Sequence, residues 1–303
     1  MHSNKYLTYF LALLAVSFWG LSYIWMKVVF EYYEPITTMF LRLLLSSVFL
    51  FILIKIMGKG EKVQKQDYTA FIILSFFSPF CYFLGESFGL KHVSPTIAAV
   101  IIATIPVFTP LLGYLAFREK LTLLNIIGFF VSFGGVVIMV LDFEFRFSAS
   151  PLGVFLLFTA VISALINIIF LKKLAIKYSS LTIIKVQNLL GALFFLPLFL
   201  VFDFRQFITV QPTPELIWAL TKLAIFASTL AFVFFTIAIR KIGIAKTSIF
   251  ANLIPVCTAI FSYWLLKEHI DLSKILGIII VIGGVLLTQV SRLKRLKQME
   301  DPK

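Results

Sequence analysis

"IPVFTPLLGYLAFREKLTLLNIIGFFVSFGGV" (residues 105–136) and "IPVCTAIFSYWLLKEHIDLSKILGIIIVIGGV" (residues 254–285) are two versions of one text, 149 positions apart. Between 91–140 and 240–289, twelve of fifty gap-free pairs are identical, more than chance supplies, so the chain reads as a duplication. The matches include Pro106 with Pro255, Tyr114 with Tyr263, Glu119 with Glu268, Gly128 with Gly277, and Gly134-Gly135 with Gly283-Gly284. A weaker offset of 145 sets Lys27 on Lys172, Thr37 on Thr182 and Arg42 on Gln187.

The repeated unit belongs in a bilayer. With 60% hydrophobic residues, 14% charged residues and a mean hydropathy of +1.02, a chain of 303 residues has too little polar surface to coat a water-soluble globule. A hydrocarbon core of about 30 Å needs about 20 apolar residues in helical form. Segments of that length occur near 7–30, 35–57, 69–90, 95–117, 122–141, 152–171, 181–202, 216–239, 244–266 and 272–290. The predicted fold is all-α and integral to the membrane. Ten helices form two five-helix repeats, 1–141 and 150–291, followed by a basic tail, 292–303. Because five is odd, the second copy enters the membrane from the opposite face, an arrangement typical of secondary transporters.

The net charge of +13 is a topology signal rather than a nucleic-acid footprint. The tails and the gaps after the even-numbered spans hold 18 of the 27 Lys and Arg, which places both termini in the cytoplasm. A bacterial inner membrane is the expected location. The first span is longer than a signal-peptide core and lacks a small-residue cleavage site, so it reads as a spanning helix. Cys81 and Cys257 lie within apolar runs, where cysteine behaves as a small hydrophobe, so no disulfide, metal site or cofactor is expected.

The Trp-Gly of "SFWGLSYIWMK", the arginine of "MFLRLLL", the Pro-to-Glu stretches of the fourth and ninth spans and the G…GG of the fifth and tenth resemble the drug/metabolite transporter superfamily, in its EamA-type ten-helix branch. The resemblance covers essentially the whole chain. It implies a central cavity lined by the first, third, fourth, sixth, eighth and ninth spans, with the fifth and tenth as outer scaffold, and export or import of small metabolites. It names no substrate.

Glu86, in "CYFLGESFGL", lies about 10 Å outward from the middle of its span, with Tyr82 one turn deeper on the same face. A lone carboxylate in hydrocarbon costs about 2.5–3.5 kcal/mol, so Glu86 must face protein or water. Lys27 and Arg42 fall in the same half of the membrane, and the three are expected to form an outer charge cluster. The functional reading makes Glu86 a proton or amine site and assigns Arg42 or Lys27 to a substrate carboxylate. The bland reading is a structural ion pair, with Lys27 snorkelling to the headgroups. Trp19, Tyr23 and Lys27 share one face of the first span, and Trp19 is too deep for an interfacial belt. Asn167 and Asn252 are amides within apolar runs, suited equally to a solute or to helix–helix hydrogen bonds.

Pro106 and Pro255 are expected to kink the fourth and ninth spans as hinges. Glu119 and Glu268 close those spans beside basic residues, as interfacial ion pairs or gate latches. The sequence therefore points to a secondary transporter of a small metabolite, an amino acid or other carboxylate-bearing solute, moving by alternating access with export as the favoured direction. Its expected partners are that solute, protons and lipid, as a monomer or homodimer. An exchanger or importer of the same fold is the alternative. A membrane enzyme stands further behind, because His2, His92 and His269 are scattered and no catalytic or phosphate-cradling motif occurs.

Overall fold

The computed structural model describes residues 5–58, 60–118, 121–141 and 147–300; for 5, 116–117, 244–246 and 291–300 it describes the backbone alone. Among the described residues ten helices are long and apolar enough to cross a bilayer. They are α1 (Tyr6–Phe30), α2 (Pro35–Ile56), α3 (Lys65–His92), α4 (Pro95–Leu115), α5 (Leu123–Val140), α6 (Pro151–Leu174), α7 (Ser180–Thr209), α8 (Pro214–Ile242), α9 (Thr247–Leu266) and α10 (Leu272–Val290). The last continues as a helix to Glu300.

Local sequence explains where these helices begin. Pro35, Pro95, Pro151 and Pro214 occupy first-turn positions, where a missing N–H costs nothing. The hydroxyls of Ser94, Ser150, Ser179 and Thr213 accept from backbone N–H groups of the first turn, and Thr122 and Asn125 make a reciprocal capping box. The outer faces carry exposed large apolar side chains such as Leu115, Phe130, Phe155 and Val201, as lipid contact requires.

The spans are not continuous α-helices. α4 breaks at Ala103–Thr104 and α9 at Asn252–Leu253, positions 149 apart. Pro106 and Pro255 then sit in the first turn of the following segment. The two helices end alike, on left-handed residues Arg118 (φ 53°) and Lys267 (φ 55°). α3 opens into a wide π-type turn at Phe76–Cys81 around Pro79, and α8 does so at Leu223–Leu230. Glu119 lies outside the described residues.

The gap expected after residue 202 is partly helical. α7 runs to Thr209 because a wide turn at Phe199–Asp203 redirects it, and Phe199 packs against Phe204 and Phe207 at 5.9 and 5.3 Å. This brings Asp203 to the start of α2, where it accepts from Thr37 N at 3.1 Å and Thr37 Oγ1 at 2.9 Å. At the other end of the same antiparallel pair, Glu61 accepts from Ser179 N at 2.9 Å and Ser179 Oγ at 3.0 Å, at the start of α7. Each carboxylate satisfies orphan donors at the positive end of the opposite helix.

α5 and α10 pack antiparallel through their glycines. Gly128 meets Gly284 and Thr288, Gly135 meets Gly277 and Val281, and Ser132 Oγ donates to the Val281 carbonyl at 3.1 Å. A methyl group on Gly284 would lie 2.6 Å from both Gly128 O and Ser132 N, whereas one on Gly283 meets nothing within 4 Å. Gly284→Ala should therefore destabilise the protein by about 1–3 kcal/mol through overpacking, with a lower melting temperature in detergent. Gly283→Ala should leave that temperature unchanged or raise it.

Candidate functional site

The orientation of Glu86 is set by its small neighbours. Gly85 and Gly89 lie directly on α6, where an added methyl would come within 2.6 Å of the Leu156 carbonyl and 3.0 Å of the Gly153 carbonyl, respectively. At about 100° per residue, turning Gly85 to α6 turns Glu86 roughly a quarter-turn from it, into the bundle, with Tyr82 one turn earlier near the same face as Glu86. There Glu86 is only 5% exposed, and its Oε1 accepts from Tyr82 Oη at 2.7 Å and from Tyr23 Oη of α1 at 3.1 Å. Both hydroxyls converge on one oxygen, and Oε2 has no hydrogen-bond partner among the described residues.

Arg42 reaches the same region from α2 but does not touch Glu86. Its Nε donates to Ser228 Oγ at 2.6 Å, its Nη1 to Met26 Sδ at 3.6 Å, and its guanidinium carbon lies 4.6 Å from the centre of the Phe83 ring. Arg42 is 4% exposed, and only two of its five N–H donors are used in this way. A buried carboxylate with one bare oxygen and a buried guanidinium with spare donors thus occupy one cluster.

Ser228 sits in the wide turn of α8, and this is the contact that sequence reasoning missed. The same turn is held by Ser46 Oγ, which donates to the Ser228 carbonyl at 3.3 Å, and by Asn188 Nδ2, which donates to Ser46 Oγ at 2.9 Å. Gln187, the repeat partner of Arg42, does the matching task on α3 by donating to the Ser78 carbonyl at 2.7 Å. The repeat offset was the available signal for that correspondence.

Other candidates are placed elsewhere. Trp19 packs against Phe232 and Phe235 of α8, with ring centres 5.1 and 5.0 Å away. Asn167 donates to the Leu74 carbonyl at 2.9 Å and the Ser78 carbonyl at 3.4 Å, so its amide repairs the break in α3. Asn252 and Gln289 exchange amide hydrogen bonds of 3.1 and 3.2 Å, tying the break in α9 to α10. Neither amide contacts Glu86.

The expected cluster of Lys27 with Arg42 and Glu86 does not form. Lys27 instead lines a crevice of about 430 Å³ at the side where α1 ends, together with Lys91, Ser94, Ser150, Glu268 and Lys274. Glu268 accepts there from Ser262 Oγ at 2.5 Å, Thr96 Oγ1 at 2.8 Å and Lys274 Nζ at 3.0 Å. Burial alone would raise its pKa, but the Ser262 and Ser94 hydroxyls and the Lys274 ammonium together outweigh burial and hold it below the ordinary carboxylate value. On the opposite side, Asp67 of α3 accepts from Lys177 Nζ and Tyr178 Oη, each at 2.7 Å, closing α3 onto the α6–α7 connection.

Against known proteins, the EamA-like transporter family matches residues 6–141 and 151–290. The chain is 29% identical over 257 residues to "Uncharacterized transporter YetK" of Bacillus subtilis, covering 83% of this chain and 77% of that protein. It is 27% identical over 283 residues to an "Uncharacterized transporter" of Archaeoglobus fulgidus, covering 93% and 96%. A solved crystal structure shares the fold with a TM-score of 0.67 at 14% identity, over 93% of this chain and 98% of that one.

Because the folded pKa of Glu268 is depressed, its contribution to stability is present above the unfolded value of about 4.3 and is lost as pH falls through the folded value. Glu268→Gln should therefore melt below the parent at pH 7, with the gap narrowing in melting curves recorded below about pH 4. Asn252→Leu should lower stability by about 0.6–2 kcal/mol without changing the half-saturation of solute exchange, because its amide serves Gln289.

Proposed function

The chain belongs to the EamA-like transporter family, and on that premise we propose that it is a secondary transporter whose solute binds between Glu86 and Arg42. The observation carrying the reading is the unsatisfied pair itself. Glu86 and Arg42 are buried, opposite in charge and out of contact, and each keeps hydrogen-bonding capacity unused by the protein. Leaving such groups unpaired inside a membrane is costly, so a visiting solute is the natural complement. A solute carboxylate suits the spare donors of Arg42, and a proton or a solute amine suits Glu86. Small carboxylate-bearing metabolites, amino acids among them, are the proposed class.

Movement is proposed as alternating access between two inverted halves, 1–141 and 150–291. The matched breaks in α4 and α9, the matched wide turns in α3 and α8 and the exchange-symmetric glycine contacts of α5 and α10 support this reading. Pro106 and Pro255 border the breaks and serve as hinges. The Asp67–Lys177–Tyr178 contact closes one side, while the crevice at Glu268 opens on the other. With the termini in the cytoplasm, that crevice faces outward. Export is the direction to test first, since the gradients acting on the site, not its shape, set net flow.

In proteoliposomes, Glu86→Gln is expected to abolish pH-driven solute movement while retaining at least half of solute-for-solute exchange. If pH-driven movement survives the change, Glu86 is a structural residue and the coupling role is wrong. Acids should compete for exchange roughly tenfold better than their amides, about 1.4 kcal/mol of differential binding. Equal competition would remove Arg42 as the carboxylate partner.

A further inference from the structure

Three ammonium groups and one carboxylate line the crevice of about 430 Å³ where α1 ends. Two of the cations are already matched. Lys91 is paired with Glu34 at 2.5 Å, and Lys274 with Glu268 at 3.0 Å. Lys27 is not. It makes no hydrogen bond or ion pair among the described residues, although it is half-buried in the crevice wall. The nearby carboxylate of Glu268 is saturated by Thr96, Ser262 and Lys274. Asp142 and Glu144, which precede Ser148 and Ser150 in the sequence, lie outside the described residues.

We propose that this crevice is a second, outer binding site for a small solute monoanion, a carboxylate, with Lys27 as its countercharge. One positive charge without a direct partner among the described residues suits one negative charge, and the volume falls within the range of about 300–1,000 Å³ found for small-molecule sites. The rim favours the same sign. α4 and α6 both begin at the crevice, at Ser94 and Ser150, and their positive ends add to the field of Lys27. The Ser150 hydroxyl accepts from Gly153 N and keeps its own proton to donate. The site is separate from the Glu86 cluster but aligned with it. Lys27 lies one turn beyond Tyr23 on the same face of α1, about 6 Å along the axis, and Tyr23 is the residue that binds Glu86. An anion held at Lys27 would therefore sit one helical turn from the tyrosine that donates to Glu86. This assignment rests on the transporter reading for its purpose, though not for its binding.

The test is reductive methylation of the purified protein in detergent, read lysine by lysine by peptide mass spectrometry, with exposed Lys62 as internal reference. Acetate is the probe and acetamide its uncharged counterpart. Acetate should slow methylation of Lys27 relative to Lys62 in a saturable way, by about tenfold at roughly ten times the half-protecting concentration, as mass action requires. Acetamide should not slow it. Equal slowing of both lysines indicates screening alone and overturns the proposal, as does no slowing, the result expected if Asp142 or Glu144 already neutralises Lys27. A third arm, without acetate, compares nanodiscs of phosphatidylglycerol and phosphatidylcholine. Protection by phosphatidylglycerol without any by acetate would assign the anion to lipid and also overturn the solute site. No gradient is needed, so failure of transport in proteoliposomes leaves a positive result standing, and failure of protection leaves the transport reading standing.

Discussion

Inside a bilayer the protein must supply every hydrogen bond that water would otherwise make, and the architecture of this chain follows from that obligation. Among the described residues five of its ten spans depart from the regular helix, α3, α4, α7, α8 and α9, and such departures free carbonyls at depth. Side chains from neighbouring helices take them up, Asn167 and Gln187 on α3 and Ser46 and Asn188 on α8, where Thr229 of α8 itself also bonds back to the Ala224 carbonyl. These repairs bind α6 and α7 to one irregular turn and α2 and α7 to the other. They also bring Arg42 to Ser228 and hence to the neighbourhood of Glu86. The polar centre and the backbone irregularity are therefore one construction.

Much of this was legible in the sequence. Twenty-residue apolar runs are long signals, and the ten spans were recovered to within a few residues except at the end of α7 and the start of α3. Pro106 and Pro255 announced the breaks in α4 and α9, and Glu86 announced a protein-lined polar site. The partners were less legible. The wide turn of α8, "LAIFASTL", contains no proline and no polar run, so nothing in its own residues announced it. Lys27 illustrates the complementary difficulty. Helical rise gives the depth of a residue well, but its lateral neighbours depend on how helices are arranged around the bundle. Lys27 thus shares with Glu86 the half of the bundle in which α1 ends, while facing Glu268 and Lys274. Asn167 and Asn252 suit a solute or the protein equally by sequence, and in the structure both amides hydrogen-bond within the protein.

The two halves are similar in frame and unequal in chemistry. Arg42 and Gln187 occupy equivalent positions and both reach into the irregular turn of a helix from the other half. A neutral amide suffices to satisfy a carbonyl on α3. The guanidinium of Arg42, reaching the turn of α8, brings a fixed charge that this task does not require.

The crossed contacts at the ends of α2 and α7 have a further consequence for assembly. Asp203 closes the start of α2, and Glu61 closes the start of α7, so each half carries the acceptor that the other lacks. Severed between α5 and α6, each fragment would lose the carboxylate that accepts from the donors at its helix start, Thr37 in one and Ser179 in the other. The two caps therefore make α2 and α7 complements of one another, since their starts are finished by acceptors encoded 166 and 118 residues away, respectively.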